Sequence, residues 1–212
     1  MMKQIVCHII ALCALLAFTG CEHSDSTPPH DFGSNDPNLY VAAGDSITEG
    51  DEVGVTPGGY PAILASLLGK TVINQGYGGD TTISGMDVVN SALSTYRPGY
   101  ILIMFGANDV IHSFDTETTI QNLQIMIEAA KTNNTIPVIA TVLPMSLRHS
   151  IFEGGVEDLN PEIIKLADRE GIIVVDLWTA FGTDPSLILD DGLHPTDAGN
   201  QVIAKAFYNA LH

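Results

Sequence analysis

Five short apolar runs, at residues 41–44, 72–74, 100–105, 137–141 and 172–176, punctuate the chain without the polar alternation of a half-exposed strand. Strands buried on both faces read this way, and they belong to parallel sheets covered by helices on each side. Helical patterns lie between them. Tyr60-Pro61 opens one, with Ile63, Leu64, Leu67 and Leu68 on one side and Pro61 where its fixed φ suits a first helical turn. Asp115 or Thr116 caps a longer one, in which Ile120, Leu123, Ile127 and Ala130 follow the 3.6-residue period. Asn160-Pro161 is expected to start another that ends before Gly171, and the last runs from Thr196 with Val202, Ile203, Ala206, Phe207, Ala210 and Leu211 facing inward. This alternation predicts an α/β fold: a three-layer α/β/α sandwich around a five-stranded parallel sheet with right-handed crossovers. Residues 144–159 show no clear period and read either as a functional wall or as a short irregular helix.

The first 38 residues stand apart. Lys3 precedes an almost unbroken apolar run over residues 5–18, too short for a membrane span of ~20 residues and suited to a signal-peptide core. The run ends at Phe18-Thr19-Gly20-Cys21, which resembles a bacterial lipobox, although Phe18 stands where Leu is usual. An ordinary secretory signal with an unrelated cysteine is the alternative. Cys7 and Cys13 fall inside the leader, so processing leaves Cys21 alone, and one thiol builds neither a disulfide framework nor a cysteine metal site. Residues 22–38 are rich in Ser, Thr, Pro and Gly and cannot bury enough surface to offset their ordering entropy. The expected organisation is a lipoprotein signal peptide at 1–20, a flexible tether at 21–38 and one domain at 39–212. It implies an exported protein, lipid-anchored to the bacterial envelope through Cys21, with Glu22 leaving an outer-membrane destination open.

The formal charge of −17 bears on partners. Nucleic-acid affinity rests on Lys and Arg neutralising phosphates, so nucleic acid is not an expected partner. A neutral ester or a sugar derivative suits such a surface better. The glycine-rich stretch at 76–79 is neither GxGxxG nor a P-loop.

Four blocks carry chemistry, and three of them follow directly on expected strands. Gly44-Asp45-Ser46 follows the first, Asn74-Gln75-Gly76-Tyr77-Gly78-Gly79-Asp80 the second, and Gly106-Ala107-Asn108-Asp109 the third. Parallel strands share a direction, so these blocks converge on one edge of the sheet, where open α/β folds bind ligands. The fourth, Asp190-Asp191-Gly192-Leu193-His194-Pro195, precedes the last helix. A serine hydroxyl is a weak nucleophile until a base takes its proton, and His194 is the candidate base. Asp191, three residues away, can point to the same side and fix the imidazole tautomer. Each piece has a plainer reading alone: Gly-Asp-Ser as a tight turn, Gly78-Gly79 as a hinge, Asn108 as a turn residue, Asp191 as surface acid with His194 capping the last helix. Their co-occurrence at strand ends favours chemistry.

In this order the blocks resemble those of the GDSL lipase/esterase superfamily, the SGNH hydrolases, over the domain from Leu39 to Leu211. The Asn74-to-Thr82 block and the Asp190-to-Pro195 block look closest to its bacterial acyl-CoA thioesterase I/lysophospholipase-like branch. The resemblance implies a flavodoxin-like sheet and no cofactor, and no metal is expected because Asp190, Asp191 and His194 lack a clear further ligand cluster. The resemblance also implies Ser46 as nucleophile, His194 as general base and acid, and Asp191 as orienting carboxylate. The Ser46 and Gly79 backbone N–H groups and the Asn108 amide would form an oxyanion hole. The expected activity is hydrolysis of small or medium acyl esters, with a thioester as a variant. Acyl transfer to or deacetylation of sugars, and a non-catalytic glycan- or lipid-binding lipoprotein, are the alternatives. Asp45, Asp80 and Asp109 are expected to tie loops together, His112 and His149 to line the cleft, and His23, His30 and His212 to have no role.

Overall fold

The computed structural model describes residues 30–52 and 55–212, so the expected leader, Cys21 and the first half of the expected tether lie outside the described residues. All five apolar runs form strands: β1 (Asp36–Gly44), β2 (Thr71–Gly76), β3 (Pro98–Met104), β4 (Ile136–Ala140) and β5 (Ile173–Val175). They make one sheet in the order β2-β1-β3-β4-β5, and every neighbouring pair is parallel. Gly44 closes β1 opposite Gly76 of β2 and Met104 of β3, so three strands end at one level. The strand order reverses at β1, and ligands in open sheets bind beyond such a point.

Eight helices are described: α1 (Ser46–Glu49), α2 (Gly59–Leu68), α3 (Thr82–Tyr96), α4 (Ala107–Ile111), α5 (Thr116–Thr132), α6 (Glu153–Glu170), α7 (Leu177–Phe181) and α8 (Asp197–Ala210). Side chains along a strand alternate between faces. Val41, Ala43, Ile101, Ile103 and Ile139 therefore meet Val89, Leu123, Ile127, Ile163 and Leu166 of α3, α5 and α6. Ala42, Leu102, Met104, Val138 and Ala140 meet Tyr60, Leu64, Leu177, Ile203 and Phe207 of α2, α7 and α8. Tyr60 and Phe207 stack at 5.3 Å and lock α2 to α8. Ile101, Leu102 and Ile103 are fully buried, each worth about 1.5–3 kcal/mol by area. Among the described residues no helix is long and apolar enough to cross a membrane.

Four features differ from the sequence reading. The strand expected to open near residue 41 begins at Asp36, inside the segment expected to be tether. Phe32 packs its ring 5.7 Å from Tyr100, and Asn35 donates to the Asn133 carbonyl at 2.6 Å, so the domain starts before residue 39. Asn160-Pro161 does not begin a helix. Pro161 lies inside α6, which starts eight residues earlier at Glu153. The missing Pro161 N–H is tolerated because Val156, Leu159, Ile163, Leu166 and Ala167 bury a continuous stripe. Residues 144–159 are thus largely helical, with a 3₁₀ turn over Leu147–Phe152 leading into α6. The sequence reading also names no helix between β2 and β3, where α3 runs for 15 residues.

Candidate active site

The turn after β1 forces Ser46 outward. Asp45 caps α1 by accepting the Ile47 N–H at 3.0 Å, and the Glu49 N–H bonds back to the Asp45 carbonyl at 2.9 Å. Gly44 admits this tight approach, since a Cβ there would overlap the Thr48 hydroxyl and come within 2.7 Å of the Met104 carbonyl. Asn74 braces the far end of α1 by donating to the Thr48 carbonyl at 2.8 Å and the Glu49 carbonyl at 3.1 Å. Asp45 itself is only 2% exposed. Burial pushes its carboxyl up to about 7, helped by nearby Asp109 and opposed by the Ile47 N–H and the charge on His194.

The last block folds into a narrow loop. Leu189 and His194 join through a backbone bond of 2.8 Å, and Ile188 bridges antiparallel to Pro195. Asp191 organises the turn inside it: one carboxylate oxygen accepts the Leu193 N–H at 2.8 Å and the His194 N–H at 3.0 Å. The other lies 2.6 Å from His194 Nδ1. Partial burial pushes Asp191 up, but the His194 ring, these two amides and the imidazole charge together hold it below the usual carboxylate range. An ionised Asp191 only accepts, so Nδ1 carries the proton, a tautomer assigned from the hydrogen-bond network. Nε2 is then free to accept from the Ser46 hydroxyl, 2.8 Å away across 148 positions of sequence. The structure therefore brings Ser46, His194 and Asp191 into one chain of hydrogen bonds.

Gly79 adopts φ +82° in the turn after β2, where the Asp80 N–H bonds to the Tyr77 carbonyl at 3.1 Å. That turn runs against the serine: a Cβ on Gly78 would stand 3.9 Å from Ser46 Cβ. Asn108, at the start of α4 after β3, donates one amide N–H to the Asp80 carbonyl at 2.9 Å. An Asn amide has a second N–H, so the Gly79-Asp80 turn and Asn108 form one unit with a donor to spare. Asp109 beneath them accepts the Thr82 N–H at 3.0 Å and the Thr82 hydroxyl. Asp80 accepts from the Ser84 hydroxyl at 2.8 Å. All three aspartates tie loops together as expected, though Asp80 does so through a hydroxyl.

His112 and His149 spend their Nδ1 protons on backbone. His112 donates to the Asn108 carbonyl and His149 to the Asp191 carbonyl, each at 2.7 Å, so both brace the segments that carry those two residues. Ser146 donates its N–H to the Gly192 carbonyl at 2.9 Å and holds the same loop. A cavity of about 250 Å³ opens among Met145, Ser146, Glu153, Phe181, Asp184 and Ile188. Ser46, Asp191 and His194 do not line it.

Glu52 is the residue the sequence reading misses. Its carboxylate lies 3.2 Å from His194 Nε2, the nitrogen that also faces Ser46. Only the left-handed turn at Gly50, φ +71°, brings it back to the site, and no sequence motif signals that reversal. Glu52, Asp191 and His194 are the described residues whose ligand atoms come within metal-binding reach of one another. Three donors already occupy the Asp191 oxygens, which suits a proton relay better than a metal centre.

The sequence pattern of the GDSL-like Lipase/Acylhydrolase family matches residues 42–202. An arylesterase of Vibrio mimicus is 27% identical over 171 residues, covering 78% of this chain and 84% of the relative. The thioesterase 1/protease 1/lysophospholipase L1 of Escherichia coli K12 is 27% identical over 174 residues, covering 79% and 80%. Among solved structures, an acetylxylan esterase of Geobacillus stearothermophilus in a catalytic-mutant form superposes with a TM-score of 0.72. It is 20% identical, and the match covers 84% of this chain and 95% of that one.

Proposed function

The chain belongs to the GDSL-like lipase/acylhydrolase family and is a carboxylic ester hydrolase, and from that premise we propose that it works through an acyl-enzyme on Ser46. The observation that carries this reading is the 2.8 Å contact of Ser46 Oγ with His194 Nε2, backed by Asp191 at 2.6 Å. His194 takes the serine proton as Oγ attacks the ester carbonyl. The Asp191 carboxylate holds the ring and offsets the charge on the imidazolium that forms. The carbonyl oxygen, now negative, is met by the Ser46 and Gly79 N–H groups and the spare Asn108 N–H. His194 then protonates the departing alcohol, and a water deprotonated by the same nitrogen releases the acid and restores Ser46.

Short loops around Ser46 support small and medium acyl groups. A panel of chromogenic acyl esters of graded chain length, read beside Ser46→Ala, tests this. Hydrolysis greatest for short chains and reduced by about 10⁴-fold or more in the variant is expected. Unchanged turnover in Ser46→Ala would overturn the acyl-enzyme.

The apolar run at 5–18 and the Phe18-to-Cys21 lipobox-like ending support an exported protein anchored through a lipid on Cys21. Incorporation of a labelled fatty acid in cells, abolished by Cys21→Ser, is the expected result. Equal labelling of the variant would refute the anchor.

A further inference from the structure

We propose that Glu52 is a specificity-determining residue, which selects esters of uncharged or cationic alcohols and rejects those whose leaving group is anionic. The proposal rests on the serine-esterase reading above. In that reaction one nitrogen, His194 Nε2, serves both oxygens in turn: it takes the proton from Ser46 and gives it to the departing alcohol. The leaving oxygen must therefore come within hydrogen-bond reach of Nε2, on the side not occupied by Ser46 Oγ. Glu52 Oε1 sits 3.2 Å from that nitrogen while Ser46 Oγ sits at 2.8 Å, so the carboxylate stands in the space the alcohol must enter. The side chains of His194 and Glu52 are 15% and 34% exposed, which places the carboxylate at the mouth of the site rather than in bulk water.

Its charge is not offset by a cation. Among the described residues, Lys131 and Lys165 pair with Glu170 and Glu162, and the partner of Glu52 is His194 alone. Other acidic groups surround the reacting atoms, and the charge of Asp191 has the same sign as that of Glu52. Asp191 lies on the Nδ1 side of the ring. Asp45 is buried under the serine turn. Glu49 rests against Gly78, with Oε2 2.9 Å from where a Cβ would stand. The exposed Arg148 belongs to the 3₁₀ turn whose His149 braces the Asp191 loop. A second negative charge carried in on the alcohol meets Glu52 at short range in a partly desolvated mouth, where Coulomb repulsion is several times stronger than in water. An uncharged hydroxyl-bearing alcohol can instead donate a hydrogen bond to the same carboxylate.

Three aryl acetates whose leaving phenols carry a neutral, a negative or a positive para substituent provide the test: methyl para-acetoxybenzoate, para-acetoxybenzoate and para-acetoxyphenyl trimethylammonium. Their kcat/KM values are compared in the wild-type protein, Glu52→Gln and Glu52→Lys, so that intrinsic reactivity cancels in the ratios. Glu52→Gln is expected to raise the anionic-to-neutral ratio by about tenfold and lower the cationic-to-neutral ratio by a similar factor. Glu52→Lys should carry both changes further. Added salt should narrow the wild-type ratios without any substitution. Ratios that stay within about twofold across both variants, whatever happens to the absolute rates, would overturn the proposal and leave Glu52 acting on His194 alone. A wild type that turns over none of the three would instead overturn the esterase reading, and this proposal with it.

Discussion

Asp45 and Asn108 each serve two purposes within one side chain. Asp45 caps α1 and lies buried beside Ser46, with its carboxyl pushed up to about 7 by desolvation first. The folded protein thus holds a proton there up to near-neutral pH, whereas the unfolded chain releases it near 3.8. Stability from this group is complete below the lower value and is lost as pH rises through about 7. Asp45→Asn keeps an acceptor for the Ile47 N–H and removes the charge. Its unfolding free energy relative to wild type should rise by about 2–3 kcal/mol between roughly pH 5 and pH 8, measured by urea denaturation. A pH-independent difference would contradict the assignment. Asn108 gives one N–H to the Asp80 carbonyl and is proposed to give the other to the oxyanion. Asn108→Ala should cost about 10²–10³ in kcat, with KM changed far less. A loss confined to KM would contradict that role. These residues were legible because each stands directly after an apolar strand in a recognisable block. Glu52 was not, since its place depends on the backbone reversal at Gly50 rather than on any neighbour in sequence.

At the scale of elements, the strands were legible because burial on both faces leaves unbroken apolar runs, and their parallel ends fix where the blocks meet. Helix boundaries were less so. Pro161 read as a helix start because proline is favoured there, yet the buried stripe of α6 continues through it and prevails over the lost hydrogen bond. The segment before α6 has its own task. Asn160 grips Val142 through bonds of 2.8 and 3.0 Å, and Ser146 then reaches the Gly192 carbonyl. Gly192 holds φ +80°, and a Cβ there would overlap the Ser146 carbonyl. Gly192→Ala should therefore displace the Asp191–His194 loop while the sheet stays intact. The expected signature is a fall in kcat/KM of at least about tenfold, with far-UV circular dichroism unchanged. Wild-type kinetics in that variant would show that the loop tolerates the strain.

For the whole molecule, every group of the proposed reaction lies within the compact unit from Asp31 to His212. The sequence reading drew that boundary a few residues late. The polar stretch before residue 39 hides the ring contact of Phe32 with Tyr100 and the side-chain bonds of Asn35. A chain starting at Asp31 should keep kcat/KM on a water-soluble ester within about twofold of the full chain, measured side by side. A large loss would mean that residues 1–30 contribute to the site.

The union of Ser46 with His194 and Asp191 is tested most directly by fluorophosphonate labelling followed by peptide mapping. A single adduct on the Ser46 peptide is expected, formed far more slowly in His194→Ala and absent in Ser46→Ala. A folded wild-type protein that stays unlabelled, or that carries the adduct on another serine, would contradict it.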